Sequence, residues 1–431
     1  MRTVAAAALG VALIVGACSS PAGSSSGGST PAPAPTTAAT TAPTAEPTQT
    51  GLDPNIKADL TVWHYLTTDA HNTLIADETA LFNQSFPNVT VKNEFVPFDQ
   101  LTPKLLASAA SKQGPDVAVF QWGDVQSLAA AGVLQDMNSY WGSFADASTF
   151  APSVVHSVNG KVYTAQAYAN LIGLWYNSDI LAKDGITPPT TTAEFEAALA
   201  KVTAAGDGGL AIDGKPGVDG WWTGMPFFFG EGLDVHMADQ AKVTSVYAQV
   251  KSWVDKGYIP KEAVTWDQDT VFNKFLTGKF AFAVGGNWYA QTATKATFKY
   301  GVVPLPAGSA GSKVYLGGEG EAIGAYTANP DLAWAYLQAT WFSKAGQLLA
   351  LKDVGNLPTR SDAASDPAIS SSPVLSGFAT AVQTGVALPI TPAENQAQTL
   401  MGDLWSAVLS GQKTPEQAAA ELAQKLPTIL K

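Results

Sequence analysis

Hydrophobic residues first gather in one uninterrupted run, residues 4–17, behind a single basic residue, Arg2. At 14 residues the run is too short for a bilayer span, which takes about 20. Its basic start and small-residue end predict a secretion signal over residues 1–17. Residues 19–50 then hold almost only Ser, Thr, Ala, Pro and Gly, with no Val, Ile, Leu or aromatic residue. Such a stretch has nothing to bury, so residues 18–56 are expected to be a disordered tether. From Lys57 the pattern changes. Leu60-Thr61-Val62-Trp63 is a β-type run, Asn88-Val89-Thr90-Val91 is a second, and Asp116-Val117-Ala118-Val119-Phe120 is a third, buried one. Helical spacing fills the gaps near residues 73–86 and 101–110. This alternation predicts a largely parallel sheet with helical crossovers. Thr191-Thr192-Ala193-Glu194 and Thr414-Pro415-Glu416-Gln417 read as capping boxes. Asn329-Pro330-Asp331 offers a cap, a first-turn proline and an acid to a further helix.

Charge and cysteine content narrow the possibilities. The chain has 431 residues, 24 Lys+Arg, 36 Asp+Glu and a net charge of −12. That balance argues against nucleic-acid binding, which needs basic residues to neutralise phosphates. The one cysteine, Cys18, excludes an internal disulfide framework and multi-cysteine metal sites. It closes Val15-Gly16-Ala17-Cys18, which resembles the bacterial lipobox. The resemblance implies cleavage before Cys18 and a lipid on its sulfur, holding the protein on the outer face of the cell membrane.

Catalytic and cofactor motifs are weak. Gly23-Ser24-Ser25-Ser26-Gly27 matches the G-x-S-x-G pattern, but no strand or helix flanks it to build a nucleophile elbow. His64 and His71 are seven apart, not the i, i+4 of a metal pair. Asp267-x-Asp269 lacks the glycine and distal glutamate of a calcium loop. Gly318-x-Gly320-x-x-x-Gly324 has the wrong spacing for a dinucleotide loop. No metal, no cofactor and no enzymatic activity are expected.

Several further blocks carry a resemblance. Gly114-Pro115-Asp116-Val117-Ala118-Val119-Phe120 is followed by Ala131-Gly132-Val133-Leu134. Gly160-Lys161-Val162-Tyr163, Leu174-Trp175-Tyr176-Asn177 and Pro188-Pro189-Thr190-Thr191 come next. Phe275-Leu276-Thr277-Gly278-Lys279-Phe280, Gly285-Gly286-Asn287-Trp288, Val303-Pro304-Leu305-Pro306 and Leu357-Pro358-Thr359-Arg360 complete the order. In this order they resemble the extracellular solute-binding proteins of family 1, the sugar-type, maltose-binding-protein-like receptors of ABC importers. Thr192 and Phe282 depart from the family's usual Trp and Met. The resemblance implies an α/β, two-lobed periplasmic-binding-protein-like fold with three crossing segments and the ligand in the cleft. The crossings should fall near residues 166–171, 299–301 and 341–345. Lobe 1 would be 57–168 plus 301–342, and lobe 2 would be 169–300 plus 343–431.

A sugar needs aromatic faces for its C–H surface and planar polar side chains for its hydroxyls, because each unpaired buried polar group costs about 1–3 kcal/mol. By family position and by placement after strands, the expected ligand contacts begin with His64 and Tyr65. Gln121, Trp122 and Asp124 form a platform with two hydrogen-bonding arms. Tyr168 and Asn170 lie at the first crossing. In Gly220-Trp221-Trp222, read as a strand, alternation sends one indole inward and Trp222 to the cleft. Asn287 and Trp288 follow glycines that permit close approach. Gly318, Glu319 and Arg360 complete the set. The expected partners are a di- or oligosaccharide, permease subunits and the membrane through the lipid, for a monomeric receptor. Two other readings stay open: the same fold with a polyol or glycerophosphodiester ligand, and a secreted glycosidase using Asp124 and Glu319.

Overall fold

The computed structural model describes residues 44, 51–382, 385–386 and 393–430. The secretion signal, Cys18 and residues 19–43 and 45–50 of the tether lie outside the described residues. Folding starts earlier than the composition suggests. Leu52 and Ile56 pack on the lobe 1 core around Leu60 and Val62, so residues 51–56 are not tether.

In chain order the strands are β1 (Ala58–His64), β2 (Val89–Phe95), β3 (Val117–Gln121), β4 (Val155–Val158), β5 (Lys161–Ala165), β6 (Tyr168–Ala169) and β7 (Ile172–Asn177). Then come β8 (Gly208–Ala211), β9 (Phe280–Gly286), β10 (Tyr300–Val303), β11 (Val314–Tyr315), β12 (Glu319–Ile323), β13 (Leu357–Pro358) and β14 (Gly385–Val386). Lobe 1 carries a six-stranded sheet in the order β2-β1-β3-β12-β5-β4, and lobe 2 a four-stranded sheet, β10-β7-β9-β8. Leu60 and Val62 point into the lobe 1 core, as alternation requires, and β3 is buried along its whole length.

The sheets are mixed rather than largely parallel. β1 runs parallel to β2 and β3, and β8 parallel to β9. β12 lies antiparallel to β3, and β7 antiparallel to β9 and β10. Strands that arrive from the other lobe need no helical crossover, so the constraint favouring parallel pairing does not reach them.

Two crossings move from their expected places. The first holds, since the chain leaves β5 at Ala165 and joins the other sheet at Ile172. The second cannot fall at 299–301. The backbone groups of Tyr300–Val303 pair with Asn177–Leu174, which makes β10 the edge of the lobe 2 sheet. The chain returns to lobe 1 between Val303 and Glu319. Nor does the third fall at 341–345. Helix Lys344–Asp353 buries Leu349 and Ala350 in the lobe 1 core and packs on helix Asp69–Asn83, so the crossing comes after it. Helix Pro373–Val382 already packs on β10 in lobe 2.

Helix starts follow their sequence signals closely. Thr191 and Thr414 form complete capping boxes with Glu194 and Gln417. Asn329 makes no side-chain cap bond, and helix Pro330–Ala339 opens on its proline with Asp331 in the first turn. In an unexpected capping box, His71 takes the acid's place: its Nδ1 accepts from the Thr68 backbone N–H at 3.3 Å.

Candidate functional site

A cavity of about 250 Å³ opens between the two sheets. Its wall is made of loops at strand ends. Tyr65, Leu66 and Thr67 follow β1, Phe95 ends β2, and Gly318 and Glu319 lead into β12. From lobe 2, Lys215 follows β8, Trp288 and Tyr289 follow β9, and Trp222 stands on helix Val218–Gly230. Asn170, on the first crossing, touches both halves. This is where α/β sheets leave room for a ligand, because helices cover the sheet faces and only strand ends stay open.

Glu319 is the centre of the polar set. It is 3% exposed. Tyr65 donates its hydroxyl to Oε1 at 2.8 Å, and Asn170 Nδ2 reaches both oxygens at 3.1 and 3.3 Å. Burial pushes its carboxyl up to about 7, with the Tyr65 bond pulling the other way. Near neutral pH it can therefore accept or donate toward a hydroxyl.

Two indoles face the cavity, and each lies against a glycine. A Cβ added at Gly286 would come within 2.1 Å of the Trp288 ring, and one at Gly317 within 2.2 Å of the Trp222 ring. No residue but glycine leaves room for these rings. Trp222 belongs to a helix, which corrects its placement on a strand. Adjacent helical residues point about 100° apart. Trp221 is fully buried, and Trp222, 6% exposed, reaches the cavity.

The cavity wall is rich in acceptors. Asp99, Asp219, Asp267, Asp269 and Glu319 line it against a single lysine, Lys215, whose Nζ donates to Asp219 at 2.8 Å. Asp269 accepts from the Tyr289 hydroxyl at 2.8 Å, and Asp267 caps helix Gln268–Leu276 through Thr270 N–H at 2.9 Å. His71 lines the same cavity, and burial lowers its ring to about 3, so it is neutral.

Of the thirteen candidate contacts, Tyr65, Asn170, Trp222, Trp288, Gly318 and Glu319 come together on this wall. The other seven do not line it, each for a local reason. His64 points inward by the alternation of β1, and burial lowers its ring to about 4. Gln121 donates to Gln398 Oε1 at 3.0 Å, joining β3 to helix Glu394–Leu409. Trp122 stacks on His156 with centroids 4.3 Å apart and donates Nε1 to the Leu316 carbonyl. Asp124 is buried beside Thr102, whose hydroxyl donates to it at 2.6 Å, and burial raises its carboxyl to about 6. It borders a smaller gap with Gln121 and Asn395. Tyr168 is fully buried against Trp341. Asn287 ties two crossings together: Oδ1 accepts from Leu171 N–H at 2.9 Å, and Nδ2 donates to the Gly355 carbonyl at 3.1 Å. Arg360 lies 3% exposed against Asp362, Asp146 and the Phe342 carbonyl.

Sequence reasoning missed Phe95, Phe98, Lys215, Asp219, Gln268 and Tyr289 on the cavity wall. It met His71, Asp267 and Asp269 only as failed metal motifs. Phe95 lies four residues beyond the run Asn88–Val91, because β2 extends past the apolar residues that mark it. No signal existed for Lys215, on the loop after β8, or for Asp219, whose helix reads as a strand.

Two α/β lobes joined by crossing segments, with a polar and aromatic cavity at their strand ends, define a solute-binding architecture. The chain belongs to the bacterial extracellular solute-binding protein family, whose model matches residues 79–377. The maltotriose-binding protein of Pyrococcus abyssi is 26% identical over 360 residues, covering 75% of this chain and 70% of its own. A putative binding protein of Brucella abortus is 23% identical, covering 81% of this chain and 88% of its own. The GacH receptor of Streptomyces glaucescens, solved unliganded and with acarbose, superposes with a TM-score of 0.79 at 25% identity. It covers 87% of this chain and 99% of the receptor.

Proposed function

We propose that this protein is the substrate-binding component of an ABC importer and takes a di- or oligosaccharide into the interlobe cavity. The observation that carries the reading is the pairing, in one cavity, of two glycine-seated indoles with the Tyr65–Glu319–Asn170 hydrogen-bond set. Indole faces suit the C–H side of a sugar ring, and the planar polar groups suit its hydroxyls. The proposed ligand contacts are Tyr65, Asn170, Trp222, Trp288, Gly318 and Glu319. The relatives named for maltotriose and maltooligosaccharides make α-linked glucose oligomers the first candidates. Lobe closure would bend the chain at residues 166–171, 304–318 and 354–366. The closed receptor, a monomer, would then hand its sugar to permease subunits without covalent chemistry.

Five carboxylates against one lysine favour a neutral ligand over a glycerophosphodiester, whose phosphate they would repel. The glycosidase reading loses its carboxyl pair, since Asp124 does not line the cavity that holds Glu319. Tryptophan fluorescence titration against glucose oligomers, other neutral sugars, polyols and glycerophosphodiesters tests the ligand class. A saturable shift is expected with a neutral oligosaccharide. A response to the phosphodiester alone would overturn the sugar assignment, and release of shorter sugars during incubation would overturn the receptor reading.

The lipobox-like Val15-Gly16-Ala17-Cys18 supports anchoring through Cys18, and one curated relative is itself named a lipoprotein. Cys18→Ser is expected to move the protein from the membrane fraction to the medium. Retention of that variant in the membrane fraction would defeat the anchor.

A further inference from the structure

Phe95 is unusual in this molecule. Its side chain is 49% exposed, and among the described residues only Leu106 is another large apolar side chain left this open. Phe95 lines the cavity; Leu106 does not. Leaving such a ring in water forgoes burial worth about 25 cal/mol for each Å². Phe95 ends β2, the outermost strand of its sheet, where Lys92, Asn93 and Glu94 are exposed as well. The neighbouring Phe98 turns inward and packs on Tyr65, with centroids 4.9 Å apart.

Exposure differs among the wall residues. Glu319 and Trp222 are closed off at 3% and 6%, whereas Phe95 and Asp99 are exposed. Thr67, Phe95 and Asp99 are the exposed wall residues and therefore stand at the rim, where the cavity meets solvent. The cavity's volume of about 250 Å³ falls below the roughly 300–1,000 Å³ of pockets that enclose a drug-sized ligand. A sugar longer than the enclosed space can extend only through the open end. There the first apolar face it meets is Phe95, with an acceptor, Asp99, four residues on.

We infer that Phe95 is an outer ring platform, stacking a sugar unit that protrudes from the enclosed cavity and so setting the preference for chain length. The inference rests on the saccharide reading above. It assigns Phe95 a role that only longer ligands feel.

The test is isothermal titration of the full chain and of Phe95→Ala with glucose and its α-1,4-linked oligomers of two to five units. Loss of one stacked ring is expected to weaken binding of the longer oligomers by about three- to tenfold. The shortest oligomer that binds should change by less than about twofold. Phe95→Trp should restore the dependence on length. Equal loss at every length, or no loss at any, would overturn the inference and leave the sugar reading intact. A parent protein that binds none of the series would overturn both for this sugar class. An unchanged melting midpoint in Phe95→Ala confirms that the comparison is between folded proteins.

Discussion

Trp288→Ala is expected to weaken sugar binding by about a hundredfold, roughly 2.7 kcal/mol, while the melting midpoint falls by only a few degrees. Trp288 is half-buried, follows β9 and lies against Gly286 at the cavity wall. Its loss would remove a stacking face and leave the two sheets intact. Gly286→Ala supplies a second route to the same result. The added methyl would meet the indole at 2.1 Å, so the ring must leave its seat although it is still present. Both variants should lose affinity under calorimetric titration. If Trp288→Ala unfolds the protein, or melts far lower while affinity survives, the indole is core rather than platform.

Arg360→Met should do the reverse. Its guanidinium bonds Asp362 through two nitrogens and Asp146 and the Phe342 carbonyl through a third. Asp146 and Asp362 are 38% exposed, so water can take over part of their interaction, and the loss is set mainly by the buried hydrogen bonds, about 1–3 kcal/mol. Chemical denaturation should show a loss of that order. Sugar affinity of the remaining folded protein should match the parent within about twofold. A large loss of affinity with unchanged stability would return Arg360 to the ligand contacts.

These two residues mark the limit of reading along the chain. Trp288 and Arg360 stand at matching positions in two blocks of one family resemblance, and nothing local separates them. One follows a strand that ends at the cleft. The other follows β13, a two-residue strand paired with β6 on the first crossing, and turns toward Asp146 in lobe 1. Trp222 teaches a related lesson. It reaches the cavity as expected, but by the 100° step of a helix rather than strand alternation. A run of Gly, Trp, Met and Phe buried on nearly every face shows neither period.

The sequence by itself determined, to within about four residues, the first three strands of lobe 1 and the two helices between them, together with the capping boxes at Thr191 and Thr414, the family and the two-lobed fold class. Each depends on residues a few positions apart, or on block order that a linear text preserves. Only the tertiary structure decided where the second and third crossings lie, and which candidates share a wall. Tyr65 and Glu319 meet at 2.8 Å although 254 residues separate them. The edge of the lobe 2 sheet is claimed by Tyr300–Val303 because the free backbone groups of β7 lie there. Contacts of that range depend on the order in which distant strands join one sheet, and short-range periodicity carries no record of it.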